Sequence, residues 1–110
     1  MTNKTLTTKQ ALRYSRQILL MGFDLDKQEI LINSRVLMIG VGGLGCAASQ
    51  YLVAAGIGKI TIVDDDIVET TNLQRQVLHF ENSIGDKKVE SARRTLNSIN
   101  HFVDVQTIDK

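Results

Sequence analysis

The stretch Arg35-Val-Leu-Met-Ile-Gly-Val-Gly-Gly-Leu-Gly45 decides the fold. An aliphatic run leads into GVGGLG, and small or apolar residues follow from Cys46 to Ala55; this order predicts a strand, a tight turn and a buried helix over Leu44 to Ala55. Gly40 lets the chain reverse off the strand, Gly42 lets the backbone approach a phosphate, and Gly45 lets helix and strand pack closely. The unpaired N–H groups of the helix's first turn face an anion. About 20 residues further on, a second aliphatic run, Ile60-Thr-Ile-Val63, ends in Asp64, whose carboxylate is placed to accept hydrogen bonds from a ribose.

The expected fold class is α/β. A Rossmann-like parallel sheet, the β-α-β-α-β N-terminal half of a doubly wound domain over residues 35–110, is preceded by a helical arm over residues 1–34. The 110 residues, 43% hydrophobic and 23% charged, suffice for one globular domain. A net charge of +1 gives no reason to expect nucleic acid or a membrane surface as partner. The single cysteine fits a reducing compartment, and the polar N-terminus lacks an apolar signal core, so a cytoplasmic location is expected.

Along the chain, residues 1–6 read as disordered. The spacing of Leu12, Ser15, Ile18 and Leu19 predicts an amphipathic helix from about Thr8 to Leu20 or Met21, stopped by Gly22. Asp24 is placed to cap a second helix ending near Asn33 or Ser34. Cys46 reads as a small packing residue, with no histidine near it in sequence. Thr71 or Asn72 is placed to cap a short helix whose apolar contacts are Leu73 and Val77, with Asn72 and Arg75 on another face beside the Asp64 crevice. Asp66 braces the loop after the second strand. A last helix is expected from Gly85 or Asp86, with Val89, Ala92, Leu96 and Ile99 as its buried stripe. Lys87 and Lys88 fall in its first turn, where the macrodipole disfavours cations, a local conflict that points to function. His79 and His101 lack metal-ligand spacing and read as ordinary polar residues, and no metal site is assigned. Val103 to Ile108 is the third expected strand.

Asn72, Arg75 and Lys88 converging on one crevice suit a triphosphate better than a nicotinamide cofactor, because a triphosphate's charge needs neutralising during attack at phosphorus. RYSRQILL at 13–20, GVGGLGCAASQYLVAAGIG at 40–58, DDD at 64–66, TNLQRQ at 71–76 and GDKKVESAR at 85–93 together resemble the ubiquitin-activating-type adenylyltransferases of bacteria. Within that family GFD at 22–24, CAASQYL at 46–52 and KVESAR at 88–93 favour the molybdenum-cofactor branch over the thiamine-pathway one.

The resemblance implies ATP and magnesium as cofactors, and a ubiquitin-like sulfur-carrier protein whose C-terminal glycine carboxylate attacks the α-phosphate. An acyl-adenylate forms and pyrophosphate leaves. It places Gly43 in the phosphate loop, Asp64 on the ribose, and Thr71, Asn72, Leu73, Gln74 and Arg75 along the triphosphate, with Lys88 neutralising charge. Arg16 resembles an arginine that reaches into a neighbouring subunit's site, which implies a homodimer. No side chain acts as nucleophile; positioning and charge neutralisation carry the rate. Family members run further and supply a magnesium-binding aspartate and paired CxxC zinc motifs that this sequence lacks. The chain therefore reads as an N-terminal fragment with little activity of its own. A nicotinamide-dependent oxidoreductase half-domain and a non-catalytic nucleotide-binding or dimerisation module are the competing readings.

Overall fold

The computed structural model describes residues 4–110. Its helices are α1 (Thr8–Arg13), α2 (Ser15–Ile18), α3 (Asp24–Ile32), α4 (Gly43–Ala55) and α5 (Lys88–Ile99); its strands are β1 (Arg35–Ile39), β2 (Lys59–Asp64) and β3 (Asp104–Asp109). The strands form one parallel sheet in the order β1-β2-β3, the expected α/β arrangement. The register aligns Val36 with Ile60 and Val105, and Met38 with Ile62 and Thr107, so alternation puts these residues on one face.

Helices α4 and α5 cover that face and meet each other over it. Cys46 and Val53 of α4, Ile60 and Ile62 of β2, and Val89, Ala92 and Leu96 of α5 share one buried core. Ile60 and Ile62 are fully buried, each contributing about 1.5–3 kcal/mol. The opposite face leaves Leu37 and Ile39 of β1 and Ile108 of β3 exposed. No helix among the described residues is long and apolar enough to cross a membrane.

The N-terminal arm differs from its expected form. Thr7 and Gln10 close a reciprocal capping box on α1, but the helix breaks at Tyr14 (φ −96°, ψ 10°) instead of running on to Leu20 or Met21. Leu12 and Leu19, expected in the buried stripe, are 76% and 84% exposed. The arm docks through polar side chains instead. The Tyr14 hydroxyl accepts from Asn100 Nδ2 at 2.8 Å, and that amide also donates to the Val53 carbonyl at 2.9 Å. Gln17 Nε2 and Gln28 Nε2 donate to the Ala55 carbonyl at 2.8 and 3.0 Å. The carbonyl of Ala55, the last residue of α4, has no intrahelical donor, and the two glutamine amides supply one.

Lys4, in the stretch expected to be disordered, is tied to the end of α3. Lys4 N–H donates to Asn33 Oδ1 at 2.8 Å and its carbonyl accepts from Asn33 Nδ2 at 2.9 Å. The remainder of that expectation, residues 1–3, lies outside the described residues. Asp24 opens α3 as its first residue, with Phe23 in the cap position.

Helix α5 starts later than expected, at Lys88. Gly85 turns the chain at φ +91°, and Gly85 to Lys87 pair with the chain after β2: Val68 N–H donates to the Asp86 carbonyl and Gly85 N–H to the Val68 carbonyl, both at 2.9 Å, and Ile67 bridges Lys87. Its predicted stripe holds, with Val89, Ala92 and Leu96 buried and Ile99 packed against the core.

Candidate functional site

The glycine turn is held by its own backbone. Gly40 sits at φ +90°, a conformation that favours glycine, and its N–H donates to the Val63 carbonyl at 2.7 Å. A Cβ on Gly45 would collide with the Gly40 carbonyl, so this glycine permits the close helix–strand approach read from the sequence. A Cβ on Gly42, by contrast, would meet no heavy atom within 4 Å: that side of the turn is open. Helix α4 begins at Gly43, and the unsatisfied N–H groups of its first turn favour an anion there.

Val41 is the buried hub of the turn, with no exposed surface. Its N–H donates to Asp64 Oδ2 at 2.8 Å, and its carbonyl accepts from the Cys46 thiol at 3.1 Å. The other Asp64 oxygen, Oδ1, accepts from the Asp66 N–H at 2.8 Å. Asp64 thus ties the turn to the end of β2, and each carboxylate oxygen keeps acceptor capacity for a hydroxyl.

The stretch after β2 is not the helix expected from Leu73 and Val77. Thr70–Asn72 is a 3₁₀ turn capped by Glu69, whose N–H donates to Asn72 Oδ1 at 2.9 Å. Asn72 is therefore buried in its own loop, and its Nδ2 is the end able to donate to a ligand. Val77 is half exposed; Leu78, one residue on, fills the core. Leu73 is half-buried, and Thr71 and Gln74 are exposed. The Arg75 guanidinium donates to the Thr71 carbonyl at 2.9 Å, which folds the side chain back across the glycine turn: Arg75 Cγ and Cδ lie 4.0 Å from where a Cβ on Gly43 would stand.

Lys88 is buried despite its charge, 6% exposed. Its Nζ lies 3.5 Å from Asp66 Oδ2, and its N–H donates to the Asp66 carbonyl at 3.0 Å. Asp86 pairs with Arg94 at 2.6 Å and Lys87 with Asp109 at 2.6 Å, so neither takes part in the Lys88 contact. Gly43 and Arg75 are thus neighbours at the turn, and Asp64 and Lys88 close on the loop leaving β2. Arg16 is exposed on α2 and is not part of this cluster.

Sequence reading missed two buried residues, His79 and Gln76. His79, read as ordinary, is 3% exposed and stands with Nε2 3.8 Å from Cys46 Sγ and 3.4 Å from the Val41 carbonyl, and with Nδ1 2.8 Å from Ser91 Oγ. Burial pushes the Cys46 thiol up and the His79 imidazole down, and the nearby Lys88 cation further lowers the imidazole. Both groups are neutral, so Cys46 is a packing residue, as its sequence context suggested. Gln76 is also buried, and its Oε1 has no hydrogen-bond partner. Among the described residues no cluster of three or more His, Cys, Asp and Glu side chains is arranged to hold a metal.

This geometry has close relatives. Molybdopterin-synthase adenylyltransferase of Escherichia coli K12 is 53% identical over 104 residues, which is 94% of this chain and 42% of that enzyme. The crystal structure of PaaA superposes on all of this chain, and on 36% of its own, with a TM-score of 0.90 and 35% identity. The tRNA N6-threonylcarbamoyladenosine dehydratase TcdA of E. coli, solved in complex with ATP, matches over 97% of this chain and 43% of its own, with a TM-score of 0.89 and 26% identity. The chain spans about two fifths of the length of the curated adenylyltransferase it matches. The ThiF family profile covers residues 14–110, taking in the glycine turn, Asp64, Arg75 and Lys88 alike, and the chain belongs to the ThiF family.

Proposed function

We propose that this chain carries the nucleotide-gripping part of an adenylyltransferase. Its substrate is the C-terminal glycine carboxylate of a ubiquitin-like sulfur-carrier protein, the small subunit of molybdopterin synthase, and its pathway is molybdenum cofactor biosynthesis in the cytoplasm. The observation that carries this reading is Arg75 lying against Gly43, next to the side of the turn left open at Gly42. A dinucleotide needs the glycines and Asp64 but no guanidinium there, whereas a triphosphate binds through such charge-assisted contacts. The 53% identity to molybdopterin-synthase adenylyltransferase supports the choice of carrier, and the ATP in TcdA supports the choice of nucleotide.

In this reading the amides at the start of α4, with Gly40, Gly42, Gly43 and Gly45 shaping their approach, hold the phosphates. Asp64 accepts from the ribose hydroxyls. Asn72 Nδ2 and Arg75, braced by Thr71, Leu73 and Gln74, grip the triphosphate, and Lys88 offsets the charge that builds up at phosphorus. The carrier's carboxylate, already ionised, forms a bond to the α-phosphorus as the bond to the bridging oxygen breaks, and pyrophosphate leaves with the electron pair. Magnesium would further screen the phosphates, with ligands drawn from outside the described residues.

Residues 1–34 act as an arm serving residues 35–110. The arm is fastened at Ala55, the far end of α4, and twelve helical steps of 1.5 Å put the glycine turn roughly 18 Å from there. Arg16, beside Gln17 in that anchor, then serves the site of a second copy in a homodimer.

Calorimetry of the chain with ATP and with NADH tests the nucleotide reading: heat with ATP alone is expected, and heat with NADH alone sinks it. Carrier-dependent exchange of labelled pyrophosphate into ATP tests the reaction.

A further inference from the structure

Beneath the glycine turn lies a buried imidazole to which no step above gives a task. His79 touches three elements at once: the turn through the Val41 carbonyl, α4 through Cys46 Sγ, and α5 through Ser91 Oγ. Ser91 stands three residues after Lys88, and so on nearly the same face of α5 one turn further along. The charged groups acting on His79 are Lys88 and Asp64.

The contacts select one tautomer. A neutral imidazole has one donor and one acceptor nitrogen. The Val41 carbonyl only accepts, so Nε2 carries the hydrogen and donates to it, and Nδ1 accepts from the Ser91 hydroxyl. The reverse tautomer would set the Nε2 lone pair against the carbonyl oxygen. Protonation would put a second cation close to Lys88 in a site with little water, and burial already opposes it.

We propose that His79 is a positioning residue for phosphate binding. As a neutral Nε2–H imidazole it spaces the Gly40–Gly43 turn from the first turn of α5, and so sets where the Lys88 ammonium stands relative to the phosphates. The peptide of Val41 is held on both sides, its N–H by Asp64 and its carbonyl by Cys46 and His79. Of these partners His79 is the one that also grips α5, through Ser91. This inference rests on the nucleotide reading and adds a residue to it that touches no ligand.

The test compares ATP with adenosine as ligands of the 110-residue chain, wild type and variant. His79→Phe keeps the volume and loses both polar contacts; His79→Gln can still donate to Val41; Ser91→Ala cuts the bridge at its other end and leaves the imidazole in place. His79→Phe and Ser91→Ala are expected to weaken ATP about three- to tenfold, the worth of one or two hydrogen bonds, with adenosine affinity unchanged and His79→Gln recovering most of the loss. In a Lys88→Met background the same substitutions should cost much less, because their effect passes through Lys88. Should His79→Phe fail to fold, Ser91→Ala and His79→Gln decide the matter. Equal loss for ATP and adenosine, full additivity with Lys88→Met, or unchanged ATP affinity in folded variants overturns the inference alone. A wild-type chain that ignores ATP overturns the nucleotide reading and this inference with it.

Discussion

Asn100, at the end of α5, donates to the hydroxyl of Tyr14, at the break in the arm, across 2.8 Å of space and 86 residues of chain. Both side chains are buried, and the same amide holds the Val53 carbonyl of α4. The arm is thereby joined to the two helices that cover the sheet. Tyr14→Phe removes the acceptor and should cost about 1 kcal/mol. Hydrogen exchange should quicken in residues 8–18 and stay unchanged in β2; uniform quickening would mean that the arm is no separate unit of stability.

Two glycines of the turn have opposite tasks. Gly45→Ala drives a methyl into the Gly40 carbonyl and should destabilise the fold by about 1–3 kcal/mol, as overpacking does. Gly42→Ala meets nothing within 4 Å and should leave the urea midpoint unchanged while abolishing ATP binding. If Gly42→Ala bound ATP normally, the phosphates would not approach that side of the turn.

Arg75 is exposed and its guanidinium hydrogen-bonds to its own loop, at the Thr71 carbonyl. Arg75→Ala should change stability by less than about 0.5 kcal/mol and lower ATP affinity about 10- to 100-fold, as loss of a charge-assisted contact does. Titrations with ATP read the effect directly.

Asp64 accepts two backbone N–H groups, from Val41 and Asp66. Asp64→Asn necessarily turns an amide donor toward one of them, and should cost about 1.5–3 kcal/mol in urea unfolding, the range for hydrogen bonds to a charged group. A smaller loss would show the clamp on Val41 to be dispensable.

The depressed pKa of His79 gives stability a pH dependence of definite sign. The unfolded chain binds a proton as pH falls through the ordinary imidazole value of 6.5, while the folded chain resists it. The stability it confers is therefore complete above that value, and is lost as pH falls below it toward the folded pKa, by at most about 1.4 kcal/mol per pH unit. Urea unfolding of wild type and His79→Gln between pH 5 and about 8 should show the acid limb flattened in the variant.

The sheet and the turn were legible because their information is local. Alternating aliphatics and glycines at fixed offsets state a strand, a turn and a helix wherever they stand, and Asp64 follows at the expected distance. The arm was misread for a physical reason: Leu12 and Leu19 have helical spacing but face outward, while Gln28 and Asn100, polar enough to be assigned to the surface, have no exposed surface at all. Their amides are buried where they meet the last turn of α4, Gln28 at the Ala55 carbonyl and Asn100 at that of Val53, contacts set by another part of the chain. Leu78 in place of Val77, and His79 beside Cys46 33 residues earlier, are likewise set by how the loop after β2 returns across the turn. The late start of α5 follows from Gly85–Lys87 pairing with residues 67–68, a long-range contact that helical periodicity does not contain.

Among the described residues β1 lies at one edge of the sheet, and it carries Leu37 and Ile39 at 62% and 77% exposure on the face away from α4 and α5. A straight apolar rim is a template on which further strands nucleate, and a net charge of +1 offers little mutual repulsion to keep copies apart. Crowded copies are then apt to meet along this strand, and a lysine in place of Leu37 is expected to keep a concentrated solution clear for longer.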